Sequence, residues 1–185
     1  MSRGLGDVYK RQVCTKTGWI KDKNKWYWIK DGSGRLAQNE WITYDNNRYY
    51  LKADGTMASS EWIDDTWYFK SWGGMYKGGW LKVDGVWYYL NEDGTKHADG
   101  WLYYLNNWYY LKDGGRMAAN EWIKHDNNWY YFKSWGGMYH DEWLVKGGSS
   151  YYFRSWGGMY SSTTVTIGGR QYTVSYTHLT LPTIC

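Results

Sequence analysis

The sequence predicts an all-β fold, an elongated solenoid of stacked β-hairpin repeats of about 21 residues each. The first observation is composition: 22% of the 185 residues are aromatic, with 16 Trp and 21 Tyr, and there is a single Pro. The second is a mean hydropathy of −0.78, which is too polar for a conventional aliphatic core. The third is that Trp recurs as the first residue of seven units. The units begin at Trp19, Trp41, Trp62, Trp80, Trp101, Trp122 and Trp143.

Each unit reads as a strand, a polar turn, an aromatic strand and a glycine turn, most clearly over residues 122–142. Asp and Asn at 126–128 tolerate the positive φ that tight hairpin turns need. Residues 129–131 are Trp-Tyr-Tyr, and aromatic side chains favour pleated, half-buried surfaces. The glycine turn follows at Gly136, and Met138 comes two residues later. Every Met except the first residue occupies this repeat position, where a flexible thioether can fill gaps beside rings.

Stacking explains why such small units would fold. An isolated two-stranded hairpin is marginally stable in water, whereas hairpins in series bury their rings against their neighbours. The sequence therefore predicts no helix of consequence, and a truncated eighth unit beginning near Thr164. The third unit is shorter than the others, with 18 residues from Trp62 to Trp80 where most units have 21. We expect a cramped hairpin turn there.

Both ends of the chain resemble translated adapter DNA. Residues 7–12, Asp-Val-Tyr-Lys-Arg-Gln, can be encoded by DNA whose reverse complement, in another frame, encodes residues 174–179, Val-Ser-Tyr-Thr-His-Leu. Such a pair is typical of an insert flanked by one sequencing adapter. We therefore predict that residues 1–12 and 174–185 are adapter-derived and that the repeat array occupies residues 13–173. The two cysteines lie near the ends of the chain and predict no disulfide framework.

Several functional classes are disfavoured by the residues themselves. No apolar run approaches the ~18 residues of a membrane span. The net charge of +4 comes without a Lys/Arg block, so nothing indicates nucleic-acid binding. His97, His125 and His140 fall at different repeat positions and predict no recurrent metal site. No nucleophile elbow, phosphate loop or paired-cysteine motif is present. We predict neither catalytic residues nor a cofactor in this chain.

One repeat pattern is specific enough to suggest a family. It reads Gly-Trp, six residues, Trp-Tyr-Tyr-Leu, three residues and Gly over residues 79–94, and it recurs with Glu as the first residue over 121–138. This pattern resembles the cell-wall-binding repeats of choline-binding proteins. It is also similar to the glucan-binding repeats of bacterial glucosyltransferases. The resemblance covers residues 18–160, nearly all of the predicted repeat array.

The resemblance to choline-binding repeats implies where a ligand would lie. It implies that the leading Trp and the aromatic-strand Trp of one unit form a cage with a Tyr of the next unit, with a Met such as Met117 or Met138 nearby. The implied sets are Trp19, Trp26 and Tyr49; Trp80, Trp87 and Tyr109; Trp101, Trp108 and Tyr130; and Trp122, Trp129 and Tyr151. The choice of Tyr matters, because adjacent strand residues point to opposite faces.

Other positions depart from this pattern, and we expect the cage to fail there. Arg48 replaces the aromatic-strand Trp in the second unit, Ser150 replaces it in the seventh, and the third unit lacks it through its deletion. Three extra rings occur in Ser-Trp-Gly-Gly-Met-Tyr turns, where they compensate for missing walls or bind sugar: Trp72, Trp135 and Trp156.

Four acidic residues stand immediately before a leading Trp: Glu40, Glu61, Glu121 and Glu142. They attract a cation or are solvated carboxylates at a scaffold position. We favour the scaffold interpretation.

The function implied is a non-catalytic module that attaches a secreted protein to the bacterial cell surface. Its partner would be choline-bearing teichoic acid. Two alternatives remain open from the residues alone: a carbohydrate-binding module whose rings stack on glucan or another wall polysaccharide, and a structural stalk whose rings serve only folding. A catalytic domain elsewhere in a longer protein is also left open.

Overall fold

The computed structural model describes residues 16–30, 34–174 and 179–180. Within these ranges the chain is built of β-strands, with one short 3-10 turn at Asp113–Gly115. The strands are β1 (Gly18–Asp22), β2 (Lys25–Ile29), β3 (Glu40–Tyr44), β4 (Asn47–Leu51), β5 (Glu61–Ile63), β6 (Trp67–Phe69), β7 (Gly79–Val83), β8 (Val86–Leu90), β9 (Gly100–Tyr104), β10 (Asn107–Leu111), β11 (Trp122–His125), β12 (Asn128–Tyr131), β13 (Trp143–Lys146), β14 (Ser149–Tyr152), β15 (Thr163–Ile167), β16 (Arg170–Val174) and β17 (Leu179–Thr180).

Consecutive strands pair as hairpins, from β1 with β2 to β15 with β16. A typical turn has two residues. In the hairpin of β3 and β4, Tyr44 pairs with Asn47, and the intervening Asp45 and Asn46 have φ angles of +48° and +58°. Asn and Asp adopt this left-handed backbone more readily than other non-glycine residues, and the twist of such turns matches the strands. The predicted all-β array of hairpin repeats is confirmed.

The third hairpin is short in its strands and not in its turn. β5 and β6 have three residues each, where β3 and β4 have five. Ile63 pairs with Trp67, so the turn contains three residues. The Thr66 N–H closes it by donating to the Ile63 carbonyl at 3.0 Å. The prediction of a cramped turn is wrong, because the deletion removes paired strand residues.

The end of the repeat array contains the predicted eighth unit, which is the hairpin of β15 and β16. The short strand β17 pairs with both β14 and β16, giving a sheet in the order β13-β14-β17-β16-β15. Val174 and β17 belong to the predicted adapter segment 174–185. The rest of that segment and all of segment 1–12 lie outside the described residues.

The chain divides into two compact units, residues 1–80 with 90–96, and residues 81–89 with 97–185. In each unit the buried side chains form small clusters, such as the one around Phe69 and Met75 in the first unit and the one around Phe132 and Met138 in the second. The largest fully buried side chains are those that close the aromatic strands: Ile29, Leu51, Phe69, Leu90, Leu111, Phe132 and Phe153. Each of the seven repeats thus contributes one fully buried anchor, and three of these anchors, Phe69, Phe132 and Phe153, belong to such clusters.

A main-chain hydrogen bond ties successive repeats together at the Met position. The Met138 N–H donates to the Trp108 carbonyl at 2.9 Å, and the Met159 N–H donates to the Trp129 carbonyl at 2.8 Å. The same bond runs to the carbonyls of Trp26, Arg48, Thr66 and Trp87 from the amides of Met57, Met75, Lys96 and Met117. Since backbone groups removed from water need partners, this bond sets the register of each repeat on the preceding one.

In four turns the glycine is required by both conformation and space, at Gly73, Gly94, Gly136 and Gly157. Gly136 has a φ of +94°, a region that L side chains rarely adopt. A Cβ atom there would lie 2.4 Å from the Sδ of Met117, which comes from the preceding repeat. Gly157 stands in the same relation to Met138, with the Cε atom at 2.2 Å. The turn therefore lies directly against the thioether of its neighbour.

We predict that Gly136→Ala destabilises the protein more than Gly85→Ala does. Both residues have positive φ, which costs an L residue about 1–2 kcal/mol. A Cβ at Gly85 would meet nothing within 4 Å, whereas one at Gly136 displaces Met117. That displacement adds about 1 kcal/mol, the lower end for overpacking, because the thioether is flexible. Urea denaturation measures both variants, and equal losses would show that the Met contact is irrelevant to stability.

Candidate functional site

A cavity of about 250 Å³ opens between repeats in the second unit. Five side chains line it: Trp101, Trp108, Tyr130, Met138 and Trp156. Trp101 comes from β9 and Trp108 from β10 of the same repeat, and Tyr130 comes from β12 of the next repeat. Met138 follows β12, and Trp156 follows β14 of the repeat after that. Three successive repeats therefore build one site.

The rings of this cavity meet at steep angles. The Trp101 and Trp108 centroids are 6.2 Å apart with an interplanar angle of 90°, and Trp101 and Tyr130 are 4.7 Å apart at 70°. Trp156 closes a further side, 6.0 Å from Tyr130. Tyr130 is 7% exposed and also belongs to a buried cluster, whereas Trp108 is 44% exposed. The leading Trp and the Tyr therefore support the fold as well as the cavity, while Trp108 contributes mainly a wall.

Two other predicted sets of rings have the same geometry. Trp19 lies 6.4 Å from Trp26 and 4.9 Å from Tyr49. Trp122 lies 6.4 Å from Trp129 and 4.9 Å from Tyr151. The structure thus brings the three rings of each of these predicted triplets together, and their role as ligand-binding residues stays a prediction.

The fourth predicted set is divided between the two compact units. Trp80 lies in the first unit, while Trp87 and Tyr109 lie in the second. Within the second unit, Tyr109 lies 6.1 Å from Trp135, and the Met117 N–H donates to the Trp87 carbonyl at 2.9 Å. The cage formed by Trp80 with these residues stays a prediction.

The three extra tryptophans form a further wall beside the cage tyrosines, and the sequence did not predict where this wall would lie. Trp72, Trp135 and Trp156 each lie 6.0–6.1 Å from a cage Tyr, namely Tyr49, Tyr109 and Tyr130. The pattern of leading Trp and aromatic strand missed this wall because it comes from a turn two repeats later. The recurrent Ser-Trp-Gly-Gly sequence was the available signal. Met57 and Met159 were likewise left out of the predicted site, although they share the repeat position of Met117 and Met138.

The second glycine of each Ser-Trp-Gly-Gly turn makes room for the Trp. A Cβ at Gly158 would lie 2.0 Å from the Trp156 ring, and Gly137 is equally close to Trp135, at 1.9 Å. The second and fourth repeats have Asp and Thr at these two positions. The Thr56 hydroxyl and N–H both donate to the Asp54 carboxylate, at 2.6 and 2.9 Å, and hold the pKa of Asp54 below its usual value. Trp–Gly and Asp–Thr are thus two alternative ways to build this turn.

Burial of the cage tyrosines controls their ionisation. Burial raises the pKa of Tyr49 above its usual value, and the nearby Asp45 carboxylate raises it further. For Tyr130 the causes are burial and then Asp126. For Tyr109 they are burial and then Tyr104. The phenols therefore remain neutral beyond the pH at which an exposed Tyr ionises, near pH 10.

The four glutamates before the leading tryptophans occupy a scaffold position, as we favoured. Each forms an ion pair with a lysine that follows the preceding aromatic strand, for example Lys112 with Glu121 at 2.8 Å. The other pairs, at 2.8–3.0 Å, are Lys30–Glu40, Lys52–Glu61 and Lys133–Glu142. Such partly exposed pairs contribute little to stability individually. Their charge is compensated by lysine, and none of these carboxylates lines the cavity.

The seventh repeat keeps part of the arrangement. Its leading ring, Trp143, lies 5.2 Å from Tyr172 of the eighth hairpin. Ser150 stands where the exposed Trp stands in other repeats, and it pairs with Leu179 of β17. The site there lacks the wall that Trp108 provides in the fifth repeat.

In the described part of the chain, no group of three or more His, Cys, Asp or Glu side chains is arranged to hold a metal ion. None of its helices is long and apolar enough to cross a membrane.

Comparison with known protein families gives consistent matches along the chain. Two models described as "Choline-binding repeat" match residues 35–73 and 78–122. A third, described as "Putative cell wall binding repeat", matches residues 17–36 and 120–138.

Solved structures from Streptococcus pneumoniae resemble the chain over most of its length. The choline-binding domain of CbpL is 34% identical, with a TM-score of 0.67, over 92% of this chain and 100% of that one. Choline binding protein F is 32% identical, with a TM-score of 0.68, over 89% of this chain and 57% of that one. A crystal structure of CbpF in complex with ipratropium also matches, at 30% identity, with a TM-score of 0.66, over 89% of this chain and 58% of that one.

A curated protein of the same species is similar over a shorter stretch. The "Putative endo-beta-N-acetylglucosaminidase" of S. pneumoniae is 40% identical over 85 residues, which is 44% of this chain. The chain matches 12% of the length of that relative.

We predict that Gly158→Thr alone destabilises the protein and that adding Trp156→Asp restores stability. The Thr side chain displaces the Trp156 ring, an overpacking cost of about 1–3 kcal/mol. The double variant recreates the hydrogen-bonded pair seen at Asp54 and Thr56. Urea denaturation of the two single variants and the double variant measures the coupling. A double variant no more stable than Gly158→Thr would contradict the exchange of one turn for the other.

Proposed function

Because the chain belongs to the family of choline-binding cell-wall-binding repeats, we propose that it attaches to the bacterial surface by capturing choline residues of teichoic acids between successive hairpins. The observation that carries the proposal is the cavity lined by Trp101, Trp108, Tyr130, Met138 and Trp156. On this proposal the ligand-binding residues are the members of the four predicted cages, with Met57 and Met159 and the three extra tryptophans added. The module itself is non-catalytic.

The chemistry of the cavity suits a quaternary ammonium group. Such a cation has no N–H to donate, so it needs no acceptor, and it is attracted to the faces of aromatic rings. All five lining side chains are aromatic or thioether groups, and no lysine or arginine is among them. Ipratropium, the ligand of the CbpF complex obtained by soaking, is also a quaternary ammonium compound.

Single sites of this kind bind weakly, so the array is needed for retention. Each ring contact with a cation contributes about 0.5–2 kcal/mol. Three or four rings, less the cost of association, correspond to a dissociation constant of roughly 1 mM. Linked sites that engage one polymer together gain avidity of about 10²–10⁴ over a single site. A polymer that carries many choline groups is therefore a better partner than free choline.

The extra tryptophans no longer favour a carbohydrate ligand. Trp72, Trp135 and Trp156 were the sequence feature that kept a glucan-binding interpretation open. Each of them lies against the Tyr of a predicted cage, so the choline interpretation accounts for them as a further wall.

Cell-surface attachment also suggests a setting for the chain. We propose that the array belongs to a secreted protein, which it would retain at the wall. The glucosaminidase relative is much longer than the matched stretch, so a catalytic domain joined to this array is part of the proposal. The residues of such a catalytic domain would lie outside the part of the chain that the structure describes.

Retention on an immobilised tertiary amine tests the proposed function. The chain carries a formal charge of +4 at pH 7, so simple ion exchange opposes binding to a cationic matrix. We expect retention at high salt and elution by free choline, with no elution by the same concentration of sodium chloride or by dextran. Elution by dextran alone would support the glucan interpretation, and no retention at all would support the structural stalk.

We predict that Trp108→Ala weakens choline binding at one site by roughly 2- to 30-fold, because a ring contact with a cation contributes about 0.5–2 kcal/mol. Trp108 is 44% exposed, so the fold should tolerate its loss. Equilibrium dialysis with labelled choline measures the change.

The matched control is Tyr103→Ala. Tyr103 is 56% exposed and lies 4.9 Å from the Trp108 ring, but it does not line the cavity. Equal effects of the two substitutions on choline binding would contradict the assignment of Trp108 as a cage wall.

A further inference from the structure

The second and third repeats have Arg48 and Thr66 at the position of Trp108, and each holds a cationic side chain at its leading ring. We propose that Arg48 and Lys96 act as built-in cations that occupy these two sites, so that choline does not. This proposal rests on the proposed function, since it assigns which of the inter-repeat sites are open to choline. It also makes a claim about the free protein that can be tested without any ligand.

Arg48 reaches the leading ring of its own repeat. Its guanidinium carbon lies 4.3 Å from the centroid of the Trp41 ring, within the range of a cation–π contact. In complete sites the Trp at this repeat position keeps its ring centroid 6.2–6.4 Å from the leading ring. The cation therefore extends into space that stays open elsewhere. Trp67 of the next repeat lies 5.3 Å from Trp41 at the position that Tyr130 has in the complete cavity.

Lys96 stands at the Met position of the fourth repeat, and its side chain lies in the site led by Trp62. In the complete cavity the corresponding residue, Met138, is a wall. The Lys96 ammonium lies 4.8 Å from the centroid of the Trp62 ring and 2.7 Å from the Asp65 carboxylate. Its side chain is only 7% exposed. A lysine this buried needs a partner for its charge, and the ring and the carboxylate both supply one.

The residue that neutralises Lys96 comes from the altered hairpin. Asp65 lies in the three-residue turn between the shortened strands β5 and β6, and its side chain is 79% exposed. The deletion in the third repeat thus coincides with an acidic turn that meets the lysine replacing methionine. At the Trp62 site the Asp65 carboxylate thereby neutralises the charge of Lys96, and the site is closed to a further cation.

A tethered cation has an advantage over a free one. Attachment to the chain gives the side chain an effective concentration at its own ring in the millimolar range or above. Free choline binding with a dissociation constant of roughly 1 mM has to displace it and also meets like-charge repulsion. We therefore assign choline to the sites led by Trp19, Trp101 and Trp122, and self-occupancy to those led by Trp41 and Trp62.

Proton NMR of the free protein tests the built-in cations directly. Methylene protons beside a cation held over a ring are shifted upfield by the ring current. We expect the Lys96 ε-methylene and the Arg48 δ-methylene each to be displaced further upfield from its unfolded-chain position than the ε-methylene of Lys124 is from its own. Lys124 is a matched control, since its ammonium is exposed and lies farther from a ring, at 5.9 Å from Trp129. Lys96→Met and Arg48→Gln assign the signals. Upfield displacements no larger than that of Lys124 would overturn the proposal.

Choline stoichiometry tests the consequence for binding. Arg48→Trp replaces the cation by the residue that complete repeats have, and we expect one additional choline equivalent per chain in equilibrium dialysis. Lys124→Met removes a lysine whose ammonium lies near the aromatic-strand Trp129 and replaces no wall of a cage, and it should leave the number unchanged. If the wild-type protein binds choline and Arg48→Trp adds no equivalent, Arg48 does not block the site. If the wild-type protein binds no choline, the proposed function fails, and the ring-current shifts still decide the built-in cations.

Discussion

The array depends on one hydrogen bond between successive repeats. It runs from the main-chain amide at the Met position, as in Met138, to the carbonyl at the position of Trp108 in the preceding repeat. It joins residues about 30 apart in sequence, as from Met138 to Trp108, and it aligns the glycine turn of one repeat with the aromatic strand of the preceding one. Backbone groups supply both the donor and the acceptor. The register of stacking is therefore independent of the side chains at these two positions, provided that the backbone keeps its path.

This independence allows the side chains at both positions to specialise. Arg48 and Thr66 accept the same bond as the tryptophans do, and Lys96 donates it as the methionines do. A repeat can thus exchange an open aromatic site for one closed by its own cation without losing its place in the array. The family membership of the chain and its number of ligand sites are separate properties for this reason.

In the glycine turn, the residue type at a position depends on the side chains packed against it. Its first glycine is fixed by a positive φ and by the thioether of the neighbouring repeat, as at Gly136. Its second glycine is needed only where a Trp folds over it, as at Gly158, and in the second and fourth repeats the turn is held by an Asp–Thr pair, Asp54–Thr56 and Asp93–Thr95. Whether a repeat adds a wall to a distant site is decided by this local exchange.

The sequence by itself determined the repeat, the hairpins and the ring triplets such as Trp122, Trp129 and Tyr151. These depend on local rules, namely turn residues that tolerate positive φ, alternation along a strand and a constant spacing. Only the tertiary structure showed that Trp156 walls the Trp101 site and that Lys96 meets Trp62. Those contacts join residues more than 30 apart whose pairing depends on how the repeats stack, and the sequence pattern carries no signal for the direction of a long, flexible side chain.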